Sequence, residues 1–564
     1  METIEDSPEP VERPRRRGRV IFAVVVLLVL LALALTPPMI NVNRYQKRIV
    51  ATMSASLGRP VQLDNVSLHL LPVPGLTLED LVVSEDPAFG SEPTIRANKV
   101  VATLRVSSLW RRQVEFSKIQ FEVDDNGSAP SLNLVRNADG RWNLESLLMH
   151  ASRIDAAPTA QRTPGPAPRF PYIEATGARI NLKLGAEKMP FSLTEADFAM
   201  WLPTSQQWSV RLQGKPARTD NNISDPGVVR LEGSFNRAST LEAVPVDLHA
   251  SWRDAPLGEA TLLLTGKDAG WRGTLHLDAS LTGLLGQGDL HAHVTLDNLR
   301  RADFVPDETL DLSIDCHGEL LVPQAVVRNP ACQTNEPRVS AVADTVDLTS
   351  RQATGLRIGT PGVPEAWLLN WARLFTQRLP ADEAGVGDVS GTMAVTPAAA
   401  KEPASWPGGV WTGKIEGELG ITLPVAAAEP ASAEPVSAEQ ASAEPVSKQP
   451  QFTIVSDAAG AVLQPVNLMP PGKTPPLMLS GTATRAGYTL TLLGAATASQ
   501  LDALEAQARP LADGLKEALP QAGTGADSTR PISINVSCTR LWPAPQTCTP
   551  AAAALPKTKG KRRR

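Results

Sequence analysis

The spacing of apolar residues changes twice in the first sixty positions and then settles. Val20 to Leu35 is an unbroken apolar run without a charge or amide, preceded by Arg13, Arg15, Arg16, Arg17 and Arg19. Such a run partitions out of water, and arginines on one flank hold that flank in the cytoplasm. A spanning helix needs roughly 17–25 residues, so the expected anchor is 20–40, with Thr36 to Ile40 as its last turn. The alternative is a cleaved signal peptide with Ala32-Leu33-Ala34 as its processing motif; that motif lies inside the run rather than after it, which favours the anchor. Both readings export the rest of the chain.

From Asn43 the period becomes helical. Tyr45, Ile49, Met53 and Leu57 recur every four residues and Gly58 stands where a C-terminal cap belongs. After that the period is two. Val61 and Leu63, then Val66, Leu68 and Leu70, then Leu76 and Leu78 beyond a turn at 72–75, alternate with polar residues; Val114, Phe116, Ile119, Phe121 and Val123 follow. Alternation of this kind predicts a sheet with one buried and one wet face. Asp139-Gly140, between Leu132/Leu134 and Trp142/Leu144, predicts a hairpin with Trp142 as its core anchor. Residues 151–168 are rich in Pro and Ala without periodicity and read as a linker.

The strand pattern resumes at Phe170. Ile180/Leu182/Leu184, Val246/Leu248/Ala250 and Leu275/Leu277/Ala279/Leu281 are apolar rows, as are Leu290/Ala292/Val294/Leu296 and Leu310/Leu312/Ile314/Cys316. Glycine-rich breaks such as Gly283, Gly286 and Gly288 separate them, the texture of an antiparallel meander. The expected fold is mainly β: the anchor, then a long curved antiparallel sheet, groove-like, with a few short amphipathic helices. The same rows would form a sandwich core if the sheet folds on itself. One helix is predicted between Pro364 and Pro380, with Trp367, Leu368, Trp371, Leu374 and Phe375 on one face, which packs on the sheet or, as the alternative, contacts a membrane or plugs a groove. A second, capped by Ser499 and kinked or split at Pro510, carries Leu501, Leu504, Ala508, Leu511, Leu515 and Leu519. The chain therefore divides into a basic N-terminus (1–19), the anchor (20–40), a first β domain (41–150), the linker (151–168), a β-rich body (169–424), an insertion repeating SAEPV (425–450), a C-terminal β/α segment (451–549) and a basic tail (550–564).

Charge and cysteine content agree with export. A formal net charge of −5 over 564 residues is not the clustered basic surface of a nucleic-acid binder. The four cysteines fall in two local pairs: Cys316 and Cys332 flank a turn near Pro323, and Cys538 and Cys548 flank one with Pro543 and Pro545. Short-range pairs suit two hairpin disulfides in an oxidising compartment, although four cysteines allow three connectivities.

Candidate chemistry is sparse. Gly472-Lys473-Thr474 resembles the end of a phosphate loop, but Asn467 stands where the first glycine should be and prolines flank it. His291 and His293 share a polar strand face with Asp289, without a third histidine nearby in sequence, and read as a wet face rather than a metal site. No nucleophile elbow or zinc-protease helix occurs. Neither catalysis nor a cofactor is expected. The Arg111-Arg112 pair and the basic run Lys557 to Arg564 read as solvated ends, with anionic lipid as the sharper alternative.

Four motifs in order carry a resemblance. Leu57-Gly58-Arg59-Pro60-Val61 follows the amphipathic helix, and Pro74-Gly75-Leu76 runs into Leu78-Glu79-Asp80-Leu81. Asp86-Pro87-Ala88-Phe89-Gly90 comes third, and Arg136-Asn137-Ala138-Asp139-Gly140-Arg141-Trp142-Asn143 ends in Leu147-Leu148. Together, behind an apolar N-terminal run, they resemble the N-terminal region of the AsmA family of bacterial envelope proteins, over residues 20–148. The resemblance implies an inner-membrane-anchored periplasmic protein of outer-membrane biogenesis, one that shields phospholipid acyl chains in a hydrophobic groove. The expected lining is Leu275, Leu277, Leu290, Val294, Leu296, Leu312 and Ile314. The alternative is a scaffold or assembly factor for envelope proteins that carries no lipid.

Overall fold

The computed structural model describes residues 16–35, 46–109 (without 72), 115–145 (without 138), 170–375 (without 185–186, 205, 307–308 and 351), 387–396, 410–424, 449–508 (without 470–475 and 485), 518, 530–541 and 546–550. Tyr45, Arg111-Arg112, the linker 151–168, the repeat at 428–447, Gly472-Lys473-Thr474 and the basic tail lie outside them. The described chain is mainly β. It divides into two compact units, Met1–Ser251 with Thr282–Gly286, and Trp252–Leu281 with Gln287–Arg564.

In the first unit, helix α1 (Arg16–Leu35) contains the apolar run. It begins with Arg16, Arg17 and Arg19, so its apolar part is Val20 to Leu35, about 24 Å at 1.5 Å per residue against a hydrocarbon core of about 30 Å. Among the described residues no helix is long and apolar enough to cross a membrane. The expected span of 20–40 is thus not met by this helix, and residues 36–40 lie outside the description. Helix α2 (Gln46–Leu57) ends at Gly58, whose φ of 66° supplies the predicted left-handed cap.

The strands of this unit are β1 (Val61–Gln62), β2 (Asn65–His69), β3 (Gly75–Val83), β4 (Ile95–Leu104), β5 (Phe116–Glu122), β6 (Ser131–Arg136), β7 (Tyr172–Leu184), β8 (Glu187–Trp201), β9 (Gln207–Arg218) and β10 (Val228–Asn236). Helix α3 (Val106–Leu109) is a single turn after β4. Most pairings are the expected antiparallel ones: β3 takes β1, β2 and β4, β4 takes β5, and β8 and β9 continue from β7 to β10. The exception is β7. It runs parallel to β5 through Tyr172–Ala175 and parallel to β6 through Arg179–Leu184, so the meander expectation fails at this strand. A parallel neighbour requires a crossover rather than a tight turn, and residues 137–171 provide its length.

The Asp139-Gly140 turn forms, with Gly140 N–H donating to Asn137 O and Asn137 N–H to Arg141 O. Its second arm is one bridge, Arg136 to Trp142, followed by a helical turn rather than a strand. Trp142 is only half-buried; the residue enclosed beneath the turn is Asn143, at 0% exposure. A polar side chain fits there because every polar atom of its amide is used, as described below.

The strand β11 (Pro245–Pro256) contains the boundary between the units. In the second unit, helix α4 (Leu257–Thr265) precedes β12 (Trp271–Leu284), β13 (Gln287–Arg301), β14 (Leu310–Leu321) and β15 (Val326–Thr334). Helix α4 was not expected from the sequence, yet its signals are there: Leu257, Ala260 and Leu263 are buried at a spacing of three, and Gly266 closes it at φ 78°. The β14–β15 ladder places Cys316 directly opposite Cys332, and they form the predicted disulfide. Short strands β16 (Ser340–Val342), β17 (Thr345–Asp347) and β18 (Gln352–Thr354) lead to β19 (Leu356–Pro364) and helix α5 (Glu365–Phe375). As predicted, α5 packs on the sheet: Leu374 is buried with Leu257, Leu299 and Leu310, and Trp371 joins them.

An antiparallel run of β20 (Asp388–Thr396), β21 (Val410–Glu418), β22 (Gln451–Asp457), β23 (Gly460–Asn467), β24 (Leu477–Thr484) and β25 (Gly487–Ala496) follows. Helix α6 (Ala498–Ala508) then lays Leu501 and Leu504 on a core with Phe452, Leu477, Leu492, Ile534 and Val536. The run closes with β26 (Ile532–Leu541) and β27 (Thr547–Pro550), joined by the second predicted disulfide, Cys538–Cys548. The cap of α6 is Thr497, not Ser499. Gln500 N–H donates to Thr497 Oγ1 at 3.4 Å and Thr497 N–H donates to Gln500 Oε1 at 3.0 Å, a reciprocal capping box that spacing three, rather than proximity to the apolar stripe, identifies. Thr497→Ala should lower stability by about 1 kcal/mol in urea unfolding, and Ser499→Ala, which removes only a 3.1 Å hydroxyl contact with Thr497 Oγ1, should cost less.

Candidate functional site: an apolar cavity in the N-terminal unit

The sequence rules that build the first unit also hollow it. Helix α2 turns Ile49, Met53 and Leu57 inward, as its period of four predicted. Opposite stand Leu76, Leu78, Leu81 and Val83 of β3, with Ile95, Val100 and Ala102 of β4. Strict alternation would send Leu81 and Val83 to the face opposite Leu76 and Leu78. Asp80, at φ 52°, shifts the phase by one so that both pairs face the same way. The same device recurs in β7, where Gly177 at φ 61° and a register shift between Ala175 and Ala178 leave Ile173, Ala175 and Ala178 on one wall. Phe116, Ile119 and Phe121 of β5, Leu132 of β6 and Phe198 of β8 continue the lining of what is a half-open hollow.

The result is a cavity of about 840 Å³. Ser131 is the one polar side chain on its wall. The volume lies within the roughly 300–1,000 Å³ of small-molecule sites, but such sites normally carry several placed polar groups. This one offers contact area and no charge, so its chemistry is the accommodation of something greasy.

Helix α2 is one wall, and it is moored at both ends. Gln46 Nε2 donates to Leu63 O and, at 3.0 Å, to Asp64 O; Ser54 Oγ accepts from Val61 N–H at 3.0 Å. Immediately after the helix, Arg59 enters a buried polar cluster. Its guanidinium pairs with Glu85 at 2.5 Å, donates to Thr94 Oγ1, and donates to Asn143 O at 2.8 Å. Glu85 accepts from Thr94 Oγ1 at 3.0 Å and from Asn143 Nδ2 at 2.6 Å. Asn143 Nδ2 also donates to Asn133 O at 2.9 Å, and Asn143 Oδ1 accepts from Val135 N–H at 3.1 Å. The Arg59 and Glu85 side chains are 4% and 1% exposed, an enclosure that demands pairing of this completeness.

Two of the four sequence motifs and the residue just ahead of a third therefore meet at one point. Arg59 comes from the first, Asn143 from the fourth, and Glu85 immediately precedes Asp86-Pro87-Ala88-Phe89-Gly90. Residues 15–174 match the model of the AsmA family. That segment is AsmA-like. Both the cluster and most of the cavity wall lie inside the AsmA match; Ala175, Ala178 and Phe198 extend the wall beyond it. No curated protein and no solved structure was found to match the chain.

The lining residues expected from the sequence are elsewhere, in the second unit. Val294 faces Ile314 and Leu296 faces Leu312 across the β13–β14 ladder, and Leu290 faces Gly318, so these five side chains share one face of the sheet. They and Leu275 and Leu277 are half-buried. Leu275 and Leu296 pack against the cluster of Leu257, Leu299, Leu310 and Leu374, where α4 and α5 cover the face. The AsmA cavity was not anticipated because alternation marks a face as apolar without saying whether a neighbour fills the space in front of it. The available signal was the apolar stripe of α2, which needed a cover within the same segment.

Proposed function

We propose that this AsmA-like chain is an envelope protein that holds phospholipid acyl chains out of water, with its N-terminal helix in the inner membrane and the bulk of the chain in the periplasm. The observation that carries the reading is the 840 Å³ apolar cavity inside the family segment. At about 30 Å³ per water-sized group, that volume takes on the order of two dozen methylenes, most of the tails of one diacyl lipid. Each methylene removed from water is worth about 0.8 kcal/mol, so a greasy enclosure removes most of the barrier to carrying a lipid through an aqueous space. The part of the β13–β14 apolar face that lies outside the cluster under α4 and α5, with Leu290, Val294 and Ile314, offers a second such surface. Helix α1 supports the membrane part: Val20, Ile21, Phe22 and Leu27 are 61–71% exposed, apolar surface that acyl chains would cover, behind arginines suited to anionic headgroups.

The test is extraction in gentle detergent followed by mass spectrometry of what accompanies the protein. Phospholipid should co-purify in a defined ratio. Ile173→Asp places a carboxylate on the cavity wall and should remove most of it; Val294→Asp should lower lipid carriage and weaken the envelope. Leu493→Asp, at a side chain already 54% exposed, should do neither. If the purified protein carries no lipid, and the folded Ile173→Asp and Val294→Asp variants leave the envelope intact, the reading is lost and the lipid-free scaffold takes its place.

A further inference from the structure

The polar face of the β13–β14 ladder collects three of the chain's seven histidines. The register sets Asp289 opposite Glu319, His291 opposite His317 and His293 opposite Asp315. These six side chains point to one side, because directly opposed residues and residues two apart share a face. His317 is the third imidazole that the sequence did not place, since 24 residues separate it from His293 and only the hairpin brings it across.

We propose that His291, His293 and His317 form a binding site for one divalent transition-metal ion of the zinc class. Imidazole suits zinc, copper and nickel, and three imidazoles with an open fourth position are an established zinc ligand set. The spacing is close to what the ion requires. With zinc–nitrogen bonds of about 2.0–2.1 Å, two imidazoles on a tetrahedral ion have centroids roughly 5 Å apart; those of His291 and His317 are 6.4 Å apart, with ring planes 30° from parallel. As the side chains stand, no group of three or more His, Cys, Asp or Glu among the described residues converges on a common point. All three residues are exposed, so their rings have solvent beside them into which they can turn, and a metal would draw them together.

Two further features prepare the site. Asp315 Oδ1 lies 2.6 Å from His293 Nδ1, the carboxylate–imidazole contact that leaves Nε2 as the ligating nitrogen and strengthens it as a donor. Cys316, between Asp315 and His317, is cross-linked to Cys332, so the strand bearing His317 is pinned to β15 on its far side.

The experiment is calorimetric titration of the purified, chelator-stripped full chain with zinc chloride, repeated with cobalt(II) to read the visible absorption of a tetrahedral site. The expected result is one ion per chain and a cobalt spectrum of tetrahedral type. His317→Ala and His291→Ala should each weaken zinc at least tenfold and abolish the cobalt bands. Asp315→Asn, which acts only by positioning His293, should weaken zinc severalfold while keeping a tetrahedral spectrum. His249→Ala, an exposed histidine on β11, should change nothing. The proposal is overturned if the parent chain binds no stoichiometric zinc, or if His317→Ala and His291→Ala bind it as the parent does; circular dichroism confirms that each variant is folded.

Discussion

Replacing Arg59 with alanine is expected to cost about 3–5 kcal/mol, measured as a shift of the urea unfolding midpoint of the purified chain. Removing one member of a buried ion pair strands the other charge, and Glu85 has little means of escape. Its side chain is 1% exposed, and its remaining donors are the Asp86 N–H, Thr94 and Asn143, the last two of which also contact Arg59. Asn143 O loses a charged donor in the same step, and the segment just after α2 loses its buried anchor. The control is the double variant Arg59→Met with Glu85→Leu. Two apolar side chains of similar size leave no orphaned charge, so it should recover a large part of the loss. A single variant that unfolds within 1 kcal/mol of the parent would show that the pair does not hold the unit together.

The second large effect is in the other unit. Cys538→Ser with Cys548→Ser should lower stability by about 2–4 kcal/mol, the range for a native cross-link closing a short loop. The bridge spans a separation of 10 residues, which limits the entropic part. Burial adds to it, because Cys538 is 6% exposed in the core that holds Leu477, Leu492, Ile534 and Val536. A serine there exchanges a sulfur that packs for a hydroxyl that needs a partner. The parent protein in reductant, which loses the Cys316–Cys332 bridge as well, should shift at least as far as the double variant; if the double variant unfolds with the oxidised parent, the Cys538–Cys548 bridge contributes nothing. The Cys316–Cys332 bridge provides a comparison, since its sulfurs lie on a half-buried face with no such core around them.

What the sequence made legible was local. Alternation located the strands, four-residue spacing located α2, and two short cysteine separations were enough to pair all four sulfurs. Each of these depends on residues within a hairpin or a helical turn. The features that escaped join distant segments. Arg59, Glu85 and Asn143 read separately as a post-helix arginine, a loop acid and a turn residue, and only long-range packing makes them one cluster. Trp142 drew attention by size, yet Asn143 is enclosed, because hydrogen-bonding capacity rather than volume decides that position. His317 joined His291 only through the register of β13 and β14. The same limit governed the apolar lining: in the second unit periodicity identified a face, and in the first it could not reveal that Asp80 and Gly177 change phase in mid-strand to leave a hollow.

Strand β7 has a consequence for the order in which the first unit forms. Its partners β5 and β6 are parallel to it, and Lys118 meets Tyr172 only after about 50 residues of chain have been gathered in, whereas β2, β3, β4 and β5 pair with near neighbours. The short ladders therefore close first, and β7 arrives late as the strand that seals them. Until it does, β5 and β6 each present an unpaired edge, the kind of edge on which other chains polymerise. The family match ends at residue 174, inside β7. A chain cut there would retain Tyr172, Ile173 and Glu174 to lie against β5 but lose Arg179–Leu184, leaving β6 only its short pairing with β4. The smallest fragment of this protein that folds without aggregating should therefore reach at least Leu184, and a series of C-terminal truncations assayed for solubility should show its break between residues 174 and 184.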